Sequence, residues 1–232
     1  KNYISPTTQE GYRYTLRVLK EHFGRRKLDE IKAFDIELFL RMLREQGRAD
    51  STLAQYKGML YQILHKAEAN DLIHKNPVAF ADKLRNRDPK KRKEAFTAAE
   101  VKLLMENLPR DRIGMSIRLM LGTGMRAQEI LALEPRHITE DGSLISICQA
   151  VNLVKGTVVV GVPKSQDSYR DVPVPPNLRE CAIYLRSTDN QYIWEAGKPG
   201  TPCNPSHFRA QFKKAIEGVE GVRVLTPHSC RH

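Results

Sequence analysis

Apolar side chains recur every three or four residues through the first third of the chain, a spacing that predicts amphipathic helices. Three stripes of this kind are present: Tyr12, Leu16, Leu19 and Phe23; Ile36, Phe39, Leu40 and Leu43; and Leu53, Tyr56, Leu60, Ile63 and Leu64. Ser5 and Pro6 have the chemistry of a helix start, whereas Gly24 and Gly47 mark helix ends. A shorter fourth helical segment is predicted near residues 71–84. The pattern therefore predicts a helical bundle over residues 1–84, with the stripes as its core.

The composition changes at residues 85–96, where basic side chains surround a proline and little could be buried. This segment predicts an exposed basic linker between two domains. Its central run, Lys90, Lys91, Arg92 and Lys93, could lie along phosphates, and its composition alone suits a nuclear localisation signal equally well.

A second domain is predicted over residues 97–232. Thr97 and Glu100 have the spacing of a capping box, which predicts the start of its first helix. Further helices are predicted near residues 111–121, 126–133, 176–187 and 204–217. Short β-rich segments lie at residues 142–147, 149–154, 157–160 and 171–174, and the second and third of them resemble a hairpin. We therefore predict a mainly α fold with a small antiparallel β-sheet, in two domains: a helical bundle and a mixed α+β domain.

The net charge of the chain indicates what kind of partner it binds. The 232 residues contain 38 Lys and Arg against 27 Asp and Glu, a net charge of +11. This surplus favours a polyanion such as nucleic acid, although an inert basic surface is the alternative. No apolar run approaches the ~20 residues that cross a bilayer, so no membrane partner is expected. The four cysteines show no CxxC pair, which argues against both a disulfide framework and a metal site.

Two basic residues could do chemistry. Arg126 follows a Gly-Thr-Gly turn, and Glu129 lies three residues later on the same helical face, where a carboxylate could orient the guanidinium towards a phosphate. An ordinary surface ion pair is the simpler reading of these two residues alone. The Gly-x-Gly turn lacks the third glycine of a dinucleotide-binding loop, so that reading is rejected. Lys164, between two β segments, is expected at a hairpin tip, where most lysines are simply solvated.

Taken in order, these stretches resemble a known family. TGMRAQEI with Arg126, Lys164 followed by RDVPV, and HSCRH with His228 and Arg231 are similar to the motifs of the tyrosine recombinases, the phage integrase family. The first domain resembles that family's core-binding domain. The chain looks most like integrases of conjugative transposons and temperate phages.

The resemblance implies a catalytic domain of tyrosine-recombinase type and a transesterification on duplex DNA that needs no cofactor and no metal. A tyrosine attacks the scissile phosphate, forms a 3′-phosphotyrosyl link and releases a 5′-hydroxyl. Arg126 and Arg231 would hold the non-bridging oxygens, Lys164 would protonate the leaving oxygen, and His228 would carry a proton and bind the phosphate. Glu129 would position Arg126 from behind.

The resemblance also implies that the nucleophilic tyrosine follows HSCRH, because all eight tyrosines precede His228. The expected protein is a site-specific recombinase for integration and excision of a mobile element, acting as a tetramer on paired sites of double-stranded DNA. It would work in the bacterial cytoplasm, at the nucleoid. Two alternatives remain open: a catalytically inactive DNA-binding regulator of the same fold, and an enzyme resembling type IB topoisomerases.

Overall fold

The computed structural model describes residues 4–82, 94–161 and 169–231. The chain divides into two compact units, Lys1–Lys91 and Arg92–His232, each with a hydrophobic core of its own. The boundary between the units falls within the predicted basic linker. Its central residues Lys90, Lys91, Arg92 and Lys93 lie outside the described residues.

The first unit is built from three long helices, α1 (Pro6–Phe23), α2 (Ala33–Glu45) and α3 (Asp50–Glu68). Helix α1 begins where the sequence predicts, because the Ser5 hydroxyl accepts a hydrogen bond from the backbone N–H of Thr8. The core consists mainly of the predicted stripes on α2 and α3. Tyr12 is an exception, since its side chain is exposed and the α1 contribution to the core is concentrated at its C-terminal half.

The predicted fourth helical segment near residues 71–84 is largely wrong. Its described part contains a single 3₁₀ turn, Pro77–Ala79. The reason is local: the Asn76 side chain accepts a hydrogen bond from the backbone N–H of Val78 and donates one to the carbonyl of Tyr61. With a proline next to it, Asn76 caps a turn against α3 instead of continuing a helix.

The second unit combines five α-helices with four short strands in the residues that the structure describes. The helices are α4 (Ala98–Asn107), α5 (Arg112–Thr123), α6 (Ala127–Leu131), α7 (Arg179–Arg186) and α8 (Pro205–Glu217). The strands are β1 (Leu144–Ile147), β2 (Ala150–Val154), β3 (Thr157–Gly161) and β4 (Arg170–Pro173). The unit is thus mixed, as the sequence predicts.

The strands form two antiparallel pairs instead of one sheet. Strand β1 pairs with β4, with Ile147 opposite Arg170, and β2 pairs with β3 as the predicted hairpin. Lys164 lies outside the described residues, between β3 and β4. Those two strands belong to different pairs, so within the described ranges they do not form the hairpin that the sequence predicts around Lys164.

An ion pair between Glu100 and Arg223 connects the start of α4 with a segment late in the second unit. The predicted capping box is present, because the backbone N–H of Thr97 donates to the Glu100 carboxylate and the N–H of Glu100 donates to the Thr97 hydroxyl. The same buried carboxylate accepts two hydrogen bonds from the Arg223 guanidinium, each of 2.8 Å. Through these bonds, Arg223 holds the segment that leads to Pro227 against the start of α4.

Candidate active site

Three of the residues singled out in the sequence line one cavity in the second unit. Arg126, His228 and Arg231 surround a volume of about 480 Å³ together with residues from α8. Among the described residues, the cavity is also lined by a third arginine, Arg209, and by no carboxylate. A hollow with three guanidiniums and an imidazole suits a multiply charged anion, because each guanidinium can donate paired hydrogen bonds to oxygen atoms.

The backbone between α5 and α6 places Arg126 at the edge of this cavity. Helix α5 ends at Thr123, and Gly124 follows in the left-handed conformation, with φ of +66°. This conformation favours glycine, and the N–H of Gly124 still closes the helix by bonding to the carbonyl of Met120. The chain then reverses direction, and Arg126 immediately precedes α6. The Gly-Thr-Gly stretch is therefore the end of a helix. This agrees with the sequence analysis, which rejected a dinucleotide-binding loop at this position.

Glu129 lies behind Arg126 and is almost completely buried, with 4% of its surface exposed. Its carboxylate accepts a 2.7 Å bond from Nη1 of Arg126 and a 2.8 Å bond from the backbone N–H of Arg126. Two further bonds, of 3.0 and 2.9 Å, come from Nη1 and Nη2 of Arg170 on β4. Burial alone would raise the pKa of Glu129. The hydrogen bonds from Arg170 and Arg126 outweigh it and hold this pKa below its ordinary value.

The Arg126 guanidinium is thus fixed on one side only. Its side chain is 44% exposed, and within the described residues its hydrogen bonds go to Glu129 alone. The donors that Glu129 does not use remain for a ligand in the cavity. The carboxylate therefore orients the guanidinium, as in one of the two alternatives that the spacing of Arg126 and Glu129 leaves open.

His228 and Arg231 are held by a short 3₁₀ helix, Pro227–Arg231, which we call the His-Arg turn. It packs against α5, and Cys230, which lies between the exposed His228 and Arg231, is buried in the hydrophobic core. Burial raises the pKa of the Cys230 thiol to about 12. Cys230 therefore serves as an apolar anchor that fixes the turn while His228 and Arg231 face outwards.

Two residues near the site were not anticipated from the sequence. Arg170 reaches Glu129 from β4, and Arg209 enters the cavity from α8. No local pattern connects either residue with Arg126, so only the fold brings them together. Lys164, the remaining predicted site residue, lies outside the described residues.

The first unit carries a basic groove on α1. A volume of about 640 Å³ is lined by Arg13, Leu16, Arg17, Lys20, Glu21 and Arg25. Arg13, Arg17 and Lys20 are spaced at i, i+4 and i+7, which places them on one helical face. This signal was available in the sequence, beside the apolar stripe of the same helix.

The described residues contain neither a metal-binding cluster nor a membrane-spanning helix. No group of three or more His, Cys, Asp or Glu side chains is arranged to hold a metal ion. In the same part of the chain, no helix combines the length and apolar character that crossing a membrane requires.

The sequence of the second unit matches a known family. Residues 94–232, which include Arg126, His228 and Arg231, match the model of the phage integrase family. The chain belongs to the phage integrase family. The resemblance carried by the motifs around these three residues is therefore confirmed.

Several curated relatives of this integrase-family chain are similar over most of its length. The transposase from transposon Tn916 of Enterococcus faecalis is 26% identical over 252 residues, an alignment that covers 99% of this chain and 62% of the relative. A tyrosine recombinase XerC-like protein of Caldanaerobacter subterraneus subsp. tengcongensis is 23% identical, with coverages of 89% and 60%. The chain thus spans about three fifths of the length of these relatives.

Solved structures of other integrases show the same fold. The Tn1549 transposon integrase in complex with circular intermediate DNA has a TM-score of 0.83 at 19% identity, covering 100% of this chain and 80% of that one. A lambda integrase dimer bound to a COC′ core site has a TM-score of 0.69 at 16% identity, with coverages of 100% and 79%. The predicted fold class, and the predicted similarity to transposon and phage integrases, are confirmed.

Proposed function

We propose that the protein containing this chain is a site-specific recombinase that cuts and rejoins duplex DNA through a 3′-phosphotyrosyl intermediate, for integration and excision of a mobile element. The observation that carries the proposal is the convergence of Arg126, His228 and Arg231 on one cavity without a carboxylate in its described lining. Arg126 is about a hundred positions from His228 and Arg231 in sequence, and a single phosphate explains why they meet. Membership of the phage integrase family supports the same chemistry.

The reaction exchanges one phosphoester bond for another. A tyrosine oxygen forms a bond to the scissile phosphorus while the bond from phosphorus to the 5′-oxygen breaks. The five-coordinate transition state carries extra negative charge on its non-bridging oxygens, which Arg126 and Arg231 would stabilise. His228 would bind the phosphate and carry the proton of the attacking hydroxyl. By the order of the family's motifs, the nucleophilic tyrosine is proposed to follow the His-Arg turn in sequence.

Three further residues have proposed roles. Lys164 is proposed to give a proton to the leaving 5′-oxygen, and it lies outside the described residues. Glu129 is proposed to hold Arg126 in position, which its four hydrogen bonds support. Arg209 would contact the scissile phosphate or its neighbour, since it lines the same cavity.

Duplex DNA is the proposed partner of both units. We propose residues 1–84 as a core-binding domain, residues 85–96 as a basic linker along the backbone, and residues 97–232 as the catalytic domain. The basic groove on α1 supports a DNA contact in the first unit. Lys90, Lys91, Arg92 and Lys93 of the linker remain proposed phosphate contacts, outside the described residues.

Assembly and location follow from this activity. A similar solved structure is a lambda integrase tetramer bound to a Holliday junction. The proposed active form is likewise a tetramer on paired DNA sites. A bacterial enzyme with this substrate would act in the cytoplasm, at the nucleoid.

The test is to trap the covalent intermediate. Full-length protein, including the segment after His232, is incubated with a duplex cut site that carries a nick near the scissile phosphate, so that the released strand diffuses away. We expect a protein–DNA adduct that survives denaturation, joined at a tyrosine and identified by mass spectrometry of the digested adduct.

The outcomes separate the alternatives. DNA binding without any adduct would contradict the proposal and favour a catalytically inactive regulator. An adduct accompanied by relaxation of supercoiled DNA, without recombinant product, would favour an enzyme resembling type IB topoisomerases.

A further inference from the structure

The carboxylate of Glu129 has four hydrogen-bond donors around its two oxygens. Oε1 accepts from Nη1 of both Arg126 and Arg170, at 2.7 and 3.0 Å. Oε2 accepts from the backbone N–H of Arg126 and from Nη2 of Arg170, at 2.8 and 2.9 Å. A carboxylate accepts about four such bonds, so this one is saturated and its orientation is fixed. Half of the donors belong to Arg170.

The helix that carries Glu129 is too short to fix the side chain by itself. Helix α6 spans only Ala127–Leu131, little more than one turn. Arg170, in contrast, belongs to a strand that is held along its length, because β4 pairs with β1 at four positions. Next to it, the Ser146 hydroxyl donates a 2.7 Å hydrogen bond to Asp171. The bidentate contact from Arg170 therefore connects Glu129 to the paired strands β1 and β4.

The Arg170 guanidinium is directed at the Glu129 carboxylate and not into the cavity. Its Nη1 and Nη2 donate in parallel to the two oxygens of Glu129, a paired geometry that a guanidinium forms and an ammonium does not. Its side chain is 29% exposed, and it is not among the residues that line the cavity. Arg170 thus contacts the carboxylate without contacting the space in which a phosphate would bind.

From this arrangement we propose that Arg170 is a positioning residue of the recombinase, which acts through Glu129 to hold the Arg126 guanidinium in its phosphate-binding orientation. The proposal rests on the proposed function of the cavity. Without Arg170, two acceptor positions on Glu129 lose their partners, and the carboxylate is free to turn with Arg126. The charge of Arg126 would remain, whereas its alignment with the transition state would be lost.

The test compares three variants of the full-length protein in the adduct assay at saturating DNA. Arg170→Gln is expected to lower the rate of adduct formation by about 10- to 100-fold, the size of effect that misplacement of a reacting group produces. Its DNA affinity should change by less than about twofold, because Arg170 is outside the cavity. Arg170→Lys keeps the charge but not the paired geometry, and an intermediate rate is expected.

Arg186→Gln provides the matched control. Arg186 is a partly exposed arginine of the same unit that bonds to the carbonyl of Ile138 and to Glu140, away from the cavity. This variant should form adduct at the unsubstituted rate. Thermal melting of all variants monitors folding.

A double-variant comparison separates positioning from general stabilisation. If Arg170 acts only through Arg126, then Arg170→Gln should cause no further loss in protein that already carries Arg126→Ala. A full additional loss in that background would overturn the proposal and assign Arg170 a merely structural role. An Arg170→Gln variant as fast as the unsubstituted protein would also overturn it.

The same assay distinguishes this failure from failure of the proposed function. If the unsubstituted protein forms no adduct, the recombinase function is contradicted, and the role of Arg170 is overturned with it. If the unsubstituted protein forms adduct and the Arg170 variants do so equally well, only the positioning role is lost.

Discussion

At the scale of single residues, the candidate site is a set of guanidiniums whose surroundings differ. Arg126 is held from behind by a buried carboxylate, whereas Arg209 and Arg231 form no ion pair with described residues. A guanidinium that is already oriented loses less conformational entropy when it binds a phosphate, so Arg126 is suited to the transition state and not only to binding. Each arginine should therefore respond differently to substitution.

For Arg126, conservative replacement should affect chemistry more than binding. Arg126→Lys in the full-length protein keeps the positive charge but loses the fork that bonds to Glu129 and, in the proposed reaction, to a phosphate. We expect the rate of adduct formation to fall on the order of 10²- to 10³-fold, as after loss of one oxyanion donor. Single-turnover cleavage of nicked DNA measures this rate, and an unchanged rate would remove Arg126 from the site.

For Arg209, the expected effect is on affinity. Arg209→Gln removes one charge from the cavity while leaving Arg126, Glu129 and Arg231 unaltered. DNA binding should weaken by about 1.5–3 kcal/mol, the range of a hydrogen bond to a charged group. Fluorescence anisotropy with labelled duplex DNA measures the affinity of both proteins. Equal affinity for DNA before and after the substitution would show that Arg209 does not contact the duplex.

At the scale of elements, short segments depend on connections to other parts of the fold. The His-Arg turn is five residues long and follows a segment whose Arg223 is bound to Glu100 at the start of α4. The hydrogen bonds from Arg223 are the main reason why the pKa of Glu100 lies well below its usual range. The ionised form of Glu100 is thus favoured by folding, which links stability to pH.

A carboxyl whose pKa is lower in the folded protein contributes stability above its unfolded pKa, ~4.3, and loses it as the pH falls towards the folded pKa. Glu100→Gln should therefore lower the melting temperature at pH 7, and the difference from the unsubstituted protein should be smaller at pH 3. Glu106→Gln, on the exposed face of the same helix, is the matched control and should change little. A difference that stays constant between pH 7 and pH 3 would contradict the role of the ionised pair.

At the scale of the whole molecule, positive charge is present in both units. The net charge is +11, and basic side chains line the groove on α1 as well as the cavity of the second unit. Duplex DNA that meets both surfaces would release counterions at each. Affinity should therefore depend strongly on salt concentration.

The salt dependence tests the contribution of α1. Each neutralised phosphate adds ~0.9 to the slope of log affinity against log salt concentration. Arg17→Gln, in the α1 groove, should reduce this slope by about 0.9 if Arg17 contacts one phosphate. Lys66→Gln, an exposed position on α3 outside that groove, removes the same charge and should leave the slope unchanged. Equal slopes for all three proteins would exclude α1 from the DNA contact.

Much of this molecule could be predicted from patterns within one turn or one motif. The stripes on α2 and α3, the capping box at Thr97 and the hairpin of β2 and β3 all depend on near neighbours. The segment around Asn76 was predicted wrongly because a side chain there bonds to the carbonyl of Tyr61, 15 residues earlier. Arg170 could not be recognised because its partner Glu129 is 41 residues away in sequence, and only the pairing of β4 with β1 brings them together.

The burial of Cys230 has a practical consequence for chemical labelling. Alkylating reagents attack the thiolate, and burial raises the pKa of the Cys230 thiol to about 12, so this thiol should react slowly while it stays buried. Cys148, which is only partly buried, should react with maleimide earlier. Slow modification of Cys230 then records how often the His-Arg turn detaches from α5. The rate of Cys230 modification thus reports local opening next to His228 and Arg231, the two proposed DNA contacts. Bound DNA should lower this rate.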